Sequence, residues 1–389
     1  DYFHTWIYKT GEIKDGVLNG DLYLKGGGDP SFVSESMWLM IKELKRSDIK
    51  KIKGKLYVDE SYFDSDYYSN GRQTKRVDRA YDAPVSALSF NWNSVSIFIR
   101  PGKKNGNKAR VYTDPTLPFI KVVNKATTYS GKKNKLNVSR ELSSDGENIH
   151  IYVSGKISQA TDEKAYYKSV GDAAMWTGRT FKAYLNQSGI EYKGDVAKKV
   201  TPKNADMLVE YDSWDMGRVL AALSKFSNNF VAEMLTKHLG KKEERVPASI
   251  DTGLSKITNF LKSKGWKDTD YNFTNPSGFN RENRMRADML GGLLQDSMTD
   301  FKLAPEFMAS LPISGVDGTL KKRMRQVMRA KVRAKTGYLS GVVSLAGYMQ
   351  PRSGGSPMTF VFFYNGPHKY DWEVRAAFDK LLWKLYQSS

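Results

Sequence analysis

Alternating apolar and polar residues mark the first part of the chain. Trp6-Ile7-Tyr8 and Leu22-Tyr23-Leu24 alternate with polar positions, and glycines separate the two runs. This pattern predicts β-hairpin strands within residues 1–30. Further strands are predicted at Lys55–Asp59 and Val95–Ile99, and the next sixty residues have a β-rich composition.

Helical periodicity appears once early and then repeatedly after Lys168. Apolar residues at Met37, Leu39, Met40, Ile41 and Leu44 predict a helix over Ser34–Leu44. Later segments with the same spacing predict five more helices: Ala173–Leu185, two amphipathic helices within Asp212–Leu239, Ser249–Lys264, and a closing helix within Asp371–Tyr386.

The last third also contains strand patterns. A strand around Lys335, a partner at Val342–Met349 and a third strand at Thr359–Tyr364 follow one another with short connections. Short connections favour an antiparallel sheet. The sequence therefore predicts an α+β fold, with helices packed on an antiparallel sheet and a β-rich block before it.

Composition limits the class of protein. The 389 residues are 40% hydrophobic and 12% aromatic, which is ordinary for a globular chain and allows two or three domains. The chain contains no cysteine, so disulfides, thiol nucleophiles and thiolate metal sites are excluded. No apolar run reaches the ~18 residues that a membrane-spanning helix needs.

The net charge of +19 favours contact with polyanions such as nucleic acid, anionic lipid or an acidic cell-wall polymer. Dense basic clusters occur only at Lys103–Lys108, Lys132–Lys135 and Lys321–Arg333. The first two lack the interleaved aromatic residues that stack on bases, so no nucleic acid is expected as a partner. We interpret most of the charge as a solvated basic surface.

Histidine and carboxylate patterns do not predict a metal. His4, His150, His238 and His368 lie far apart, without metal-type spacing. A Gly-x-Ser-x-Gly nucleophile elbow is also missing from the sequence. No metal and no other cofactor is predicted.

Two short motifs remain as candidate chemistry: Ser227-x-Asn229 between two predicted helices, and Lys335-Thr336-Gly337 on a predicted strand. Alone, Ser227-Asn228-Asn229 reads as an inter-helix turn, and Lys-Thr-Gly occurs by chance in lysine-rich chains. Together, in this order, they match serine acyl-enzymes that use no histidine. In that interpretation Ser227 relays a proton, Asn229 holds a substrate amide, and the lysine and threonine grip a carboxylate.

With these motifs the sequence resembles the D-alanyl-D-alanine carboxypeptidases and endopeptidases of the penicillin-binding protein 4 type, the class C low-molecular-mass penicillin-binding proteins. The resemblance runs nearly from end to end. Its matching blocks are Asn19–Leu24 with Gly26–Pro30, Ala83–Leu88, Ser227–Glu233, Leu311–Leu320 and Lys335–Tyr348.

The resemblance implies a penicillin-binding-protein/β-lactamase-like transpeptidase domain interrupted by a β-rich insertion. Residues 1–24 are then the end of the N-terminal part of the catalytic domain or the start of the insertion. Residues 25–205 form the inserted domain or domains, and residues 206–389 form the C-terminal part of the catalytic domain.

The resemblance also assigns roles to residues. Ser227, Asn229 and Lys335 are implied as catalytic, and Lys335, Thr336, Gly337 and Tyr338 as substrate-binding. The backbone N–H of Tyr338 is implied to complete an oxyanion hole, where a donor fixed on a strand edge stabilises developing charge without rearranging.

The nucleophile is unknown from this sequence. Only Ser47–Lys50 and Ser130–Lys133 match Ser-x-x-Lys, and both lie in polar, lysine-rich stretches unlike the buried start of a core helix. We expect the motif in a segment preceding Asp1. The alternative is a noncatalytic relative that binds peptidoglycan or another cell-wall polyanion. A smaller departure is Asn275-Pro276-Ser277-Gly278, where relatives commonly have Asp-Gly-Ser-Gly; the turn is kept and the acid is lost.

The resemblance therefore implies a serine-type DD-peptidase that acts on peptidoglycan stem peptides and is inhibited by β-lactams. Carboxypeptidase and endopeptidase activity both remain open. An extracytoplasmic location, in the periplasm or cell envelope, is expected. Peripheral association with membrane or cell wall through the basic surface is a further expectation.

Overall fold

A computed structural model describes residues 2–69, 79–144, 146, 148–241 and 247–389. Within these ranges the strands, in chain order, are β1 (His4–Lys9), β2 (Glu12–Lys14), β3 (Val17–Asn19), β4 (Leu22–Gly26), β5 (Lys51–Ile52), β6 (Leu56–Asp59), β7 (Ser94–Arg100), β8 (Arg110–Asp114), β9 (Ile120–Asn124), β10 (Thr127–Tyr129), β11 (Lys135–Leu142), β12 (Ile149–Ser158), β13 (Lys164–Ser169), β14 (Val196–Lys198), β15 (Asp206–Asp212), β16 (Tyr271–Asn272), β17 (Arg284–Met285), β18 (Val332–Leu339), β19 (Val342–Met349) and β20 (Met358–Asn365).

The α-helices of the same ranges are α1 (Ser34–Lys45), α2 (Ala173–Gln187), α3 (Met216–Phe226), α4 (Asn229–Leu239), α5 (Ile250–Ser263), α6 (Ala287–Thr299), α7 (Ala304–Ser310) and α8 (Asp371–Ser388). All six predicted helices are present, with ends that differ by a few residues. Helices α6 and α7 were not predicted. No helix of the described ranges combines the length and the apolar character needed to cross a membrane.

The first part of the chain builds a five-stranded sheet in the order β14-β6-β4-β1-β15. Strand β1 pairs antiparallel with β4 and, from the other side, with β15. Helix α1 packs on this sheet through Met37, Met40, Ile41 and Leu44, which are fully buried. Leu39, predicted as an apolar position of this helix, is instead 46% exposed because it lies off the buried stripe.

The β-rich block lies between residues 94 and 169. Strands β13, β7 and β8 form one antiparallel sheet, and β12 pairs with β9, β10 and β11 in a second. Apolar residues that alternate along β7 and β12 share a core with the five-stranded sheet.

The C-terminal part is the predicted antiparallel sheet, ordered β18-β19-β20, with helices on both faces. On one face α8 packs through Phe378 and Leu382 against Val332, Ala334 and Leu345. On the other face α6 covers the sheet, where the Tyr348 hydroxyl donates to the Leu294 carbonyl at 2.6 Å. Within the described residues, strand β18 lies at one edge of this sheet, and it carries the Lys-Thr-Gly motif.

Strand β15 bears on the predicted domain boundary at residue 206. It pairs with β1, and Val209 packs in the same core as Ile7. We propose the three-part division 1–24, 25–205 and 206–389, in which the five-stranded sheet takes strands from all three parts and β15 is the strand from the last.

Candidate active site

The turn that joins α3 to α4 presents Ser227. Helix α3 ends at Phe226, and Ser227 adopts a left-handed conformation with φ 53°. Asn228 then caps the N-terminus of α4, because its side chain accepts hydrogen bonds from Phe230 N and Val231 N. A non-glycine residue in this conformation costs of order 1 kcal/mol, and such strain is concentrated at functional sites.

Lys335 reaches this turn from strand β18. Its Nζ donates to Ser227 Oγ at 2.7 Å and to the Thr336 carbonyl at 2.7 Å, although Ser227 lies 108 residues away in sequence. Within the described residues, no carboxylate lies within ion-pair distance of this ammonium group. Burial lowers the pKa of Lys335 to about 8, because desolvation disfavours the charged form.

Thr336 faces a residue that the sequence had not singled out. Its hydroxyl donates to Thr319 Oγ1 at 2.9 Å. Thr319 belongs to the block Leu311–Leu320, which carried part of the family resemblance without an assigned role. Its place in this block was the indication that the sequence offered of a role in the site. The hydrogen bond between the two hydroxyl groups forms only when the chain folds.

An ion pair fixes this block beside the Ser227 turn. Lys225 Nζ lies 2.7 Å from Asp317 Oδ2 and donates to the Leu311 carbonyl at 3.0 Å. Gly318 has φ 53°, and a Cβ at this position would lie 2.7 Å from the Lys225 carbonyl oxygen. Only glycine therefore permits this close approach, which sets Thr319 against β18.

Ser227, Thr319 and Thr336 border a cleft of about 380 Å³. The lining residues are Ser227, Thr319, Arg323, Thr336, Gly337, Tyr338, Val343, Ser344 and Arg375. A Cβ on Gly337 would lie 2.3 Å from Ser344 Oγ, so a side chain there would displace the serine hydroxyl. Tyr338 is 54% exposed at the end of the motif.

The remaining candidates lie in different places. Asn229 is the first residue of α4 and half-buried, but it is not among the residues that line the cleft. Ser47 lies in the turn after α1, and Ser130 is exposed after β10. Neither serine lines the cleft.

Asn275 is fully buried, and the Asn275–Gly278 turn contacts α4 through Ser277. Asn275 Oδ1 accepts from Ser277 N and Phe279 N, both at 3.0 Å, and Ser277 Oγ donates to Glu233 Oε1 at 2.8 Å. Asn275 Nδ2 also donates to Ser69 Oγ at 2.8 Å. The Asn275 side chain thus accepts through its oxygen and donates through its nitrogen, and an ionised aspartate can only accept.

Comparison with known proteins agrees with this geometry. Residues 1–385 match the D-Ala-D-Ala carboxypeptidase 3 (S13) family. The chain is 30% identical over 374 residues to a D-alanyl-D-alanine carboxypeptidase of an Actinomadura species, covering 92% of this chain and 67% of that protein. It is 26% identical to D-alanyl-D-alanine carboxypeptidase DacB of Haemophilus influenzae, covering 96% of this chain and 78% of that protein.

Among solved structures, penicillin binding protein 4 from Haemophilus influenzae complexed with a β-lactam superimposes with a TM-score of 0.74 at 25% identity, covering 100% of this chain and 85% of that one. A peptidoglycan endopeptidase from Bdellovibrio bacteriovorus shares the fold, with a TM-score of 0.53 at 15% identity over 99% of this chain and 80% of that one.

The chain belongs to the D-Ala-D-Ala carboxypeptidase 3 (S13) family. The predicted relationship to penicillin-binding proteins of the type 4 group is thereby confirmed, and so are the predicted α+β fold and the class of enzyme, a serine-type D-Ala-D-Ala carboxypeptidase.

Proposed function

We propose that the 380 Å³ cleft is the substrate-binding side of a DD-peptidase active site that works through an acyl-enzyme. The observation that supports this most strongly is the 2.7 Å contact between Lys335 Nζ and Ser227 Oγ, at a cation with no carboxylate partner among the described residues. A partly dehydrated ammonium group without a counter-ion is suited to an anionic ligand.

The chemistry follows from acyl transfer. A serine hydroxyl, whose position in the sequence is unknown, attacks the carbonyl carbon of the penultimate D-Ala, and a C–O bond forms as the C–N bond breaks. The proton from the serine passes to the leaving amine through Ser227. Water then hydrolyses the ester, which releases the shortened peptide and regenerates the serine.

The other site residues position the substrate. Lys335 and Thr336 bind the terminal carboxylate of the stem peptide, and Asn229 holds a backbone amide of the substrate from the start of α4. The Tyr338 N–H on β18 stabilises the oxyanion, and Gly337 allows the peptide to lie close along the strand.

The same serine reacts with β-lactams in this proposal, because they imitate the acyl-D-Ala-D-Ala bond. A solved relative at 25% identity is described as complexed with a β-lactam, which supports the expectation. Cleavage of peptidoglycan cross-links at this site is a second proposed activity. The stem peptides and the cross-links of peptidoglycan both lie outside the cytoplasm, so we place the protein in the periplasm or cell envelope.

Fluorescent penicillin tests the proposal directly. The protein expressed from its complete gene is expected to become covalently labelled and to release D-Ala from N-acyl-D-Ala-D-Ala. The Lys335→Ala variant is expected to lose most of both activities. Absence of labelling, together with retained binding to isolated peptidoglycan, would instead identify a noncatalytic wall-binding relative.

We also propose that one end of the β-rich block contacts an anionic cell-wall polymer. Two lysine-rich loops meet there: Gly106 N donates to the Thr128 carbonyl at 3.0 Å, and Lys135 pairs across the sheet with Lys156. Strand β10 lies beside Lys156–Ser158 and so joins both loops. Binding to purified cell wall is expected to weaken steeply with salt, and a salt-independent interaction would refute the electrostatic origin.

A further inference from the structure

A basic segment beside the cleft has no role in the proposed reaction. Residues Lys321–Arg333 contain seven basic residues and no acidic one, so the positive charge of this segment is not balanced within it. The segment begins two residues after Thr319 and continues into β18, and its Arg323 lines the cleft. This charge therefore lies next to the residues that bind substrate in the proposed function.

Three of these cations have partners within the protein. Arg323 is paired with Asp379 on α8, with N–O distances of 2.6 and 3.2 Å. Arg329 and Arg333 donate hydrogen bonds to backbone carbonyls of residues that precede the segment. These three side chains fix the segment against the rest of the C-terminal part.

The other four cations have a different environment. No carboxylate lies within ion-pair distance of their side chains in the described part of the chain. Like charges held close together repel one another and destabilise the folded state, and an anionic partner removes that repulsion. The three nearest the start of the segment are exposed and the last is half-buried; the four are Lys321, Lys322, Arg325 and Lys331.

The backbone that carries these four side chains is fixed by the fold. Leu320 and Met328 are buried in the core between α8 and the β18-β19-β20 sheet. Ala330 N donates to the Ser314 carbonyl at 2.8 Å, and Ser314 Oγ donates to the Met328 carbonyl at 2.6 Å. Because the backbone is already ordered, a partner that binds here does not bear the entropy cost of ordering it.

We propose that Lys321, Lys322, Arg325 and Lys331 form a surface that binds stem peptides neighbouring the one in the cleft, on the same peptidoglycan strand. Each uncleaved stem ends in a carboxylate, so a strand presents several anions where a free peptide presents one. Several cations on one surface favour the ligand with several anions. This surface rests on the proposed function and names its substrate class, which is a polymeric strand in preference to a free stem peptide.

Two substrates with the same scissile bond test this surface. The ratio of kcat/KM for soluble, uncross-linked peptidoglycan strands to kcat/KM for N-acyl-D-Ala-D-Ala reports the preference for the polymer. Replacing all four cations of the surface with Gln is expected to lower this ratio about tenfold or more at low salt. The rate on the small peptide is expected to change less than about twofold, and the effect on the polymer is expected to shrink as salt is added.

A control variant removes the same number of charges elsewhere. It replaces four lysines with Gln that are exposed, lie outside the cleft lining and have no carboxylate at ion-pair distance within the described ranges: Lys14, Lys53, Lys203 and Lys256. Equal penicillin labelling shows that both variants are folded. The control is expected to leave the ratio unchanged. Equal losses in the two variants would assign the effect to net charge and overturn the proposal, as would an unchanged ratio in the variant beside the cleft.

Cosedimentation with purified peptidoglycan separates this proposal from the proposed function, because it requires no reaction. If the protein does not react with penicillin, but only the variant beside the cleft binds peptidoglycan more weakly, the surface stands and the proposed catalysis fails. Converting the stem carboxylates to amides is expected to abolish the difference between wild type and variant. Extracting other anionic polymers from the wall is expected to preserve it. A difference that disappears on extraction would identify such a polymer as the partner and would refute the binding of stem peptides.

Discussion

The ammonium group of Lys335 is expected to titrate far below an ordinary lysine, and a change of pH is therefore an informative perturbation. Burial beside Ser227 lowers the pKa of Lys335 from 10.5 to about 8. At pH 7 about one in ten Lys335 side chains would be neutral, against about one in three thousand for an ordinary lysine. The neutral fraction is thus larger by about 300-fold.

Competitive acetylation measures this fraction. A trace amount of isotopically labelled acetic anhydride reacts only with neutral amines, and peptide mass spectrometry reports the extent at each lysine. Plotted against pH, the labelling of Lys335 is expected to have its midpoint near pH 8, well below the value of about 10.4 for lysine in a model peptide. A midpoint for Lys335 among those of the surface lysines would refute the desolvation of this group.

The same titration has a consequence for catalysis. The proposed binding of a carboxylate needs the charged form of Lys335, and raising the pH through 8 removes that charge from the free protein. The second-order rate of acylation by penicillin is therefore expected to fall tenfold per pH unit above about 8. A rate that rises through this range would instead make neutral Lys335 a general base toward Ser227.

Two further predictions concern the surroundings of the cleft. Lys225→Met removes the ion-pair partner of Asp317 and leaves it only the hydrogen bond from Ile313 N. We therefore expect the free energy of unfolding to fall by about 1–3 kcal/mol and penicillin acylation to slow, measured against Lys256→Met on the surface of α5. Asn275→Asp places a buried carboxylate next to Glu233 and removes the donor to Ser69. Because burial raises the pKa of the new acid, the charged form is disfavoured in the folded protein. The melting temperature is therefore expected to drop by several degrees at pH 7 and to recover as the pH falls toward 4. A melting temperature independent of pH in this range would contradict that reasoning.

Local patterns in the sequence predicted much of the fold. Most of the buried stripe of α1 follows from apolar spacing, and the turn between α3 and α4 follows from the turn-forming residues Ser227-Asn228-Asn229. The pairing of β1 with β15 was not predictable in this way, because periodicity shows which face of a strand is buried and not which strand lies beside it.

The same distinction separates the site residues that the sequence predicted from those that it did not. Ser227 and Lys335 were found because a motif with a fixed order links residues that are distant in sequence. Thr319 and Arg375 were missed, since their position at the cleft depends on which hydroxyl and which helix face folding places beside β18. The sequence does not show which cleft a polar residue on a helix will border in the folded protein.

Strand β15 has a consequence for how the protein is assembled as it is made. His4 and Asp212 are neighbours in the sheet although 208 residues separate them, and Ser213 N then donates to the Phe3 carbonyl at 2.8 Å. A ribosome must therefore release the whole intervening block before the opening strand gains its second partner. Contacts of such high sequence separation slow folding. Until then β1 has an unpaired edge, and unpaired strand edges promote aggregation, so we expect folding of this protein to depend on protection of that edge during synthesis.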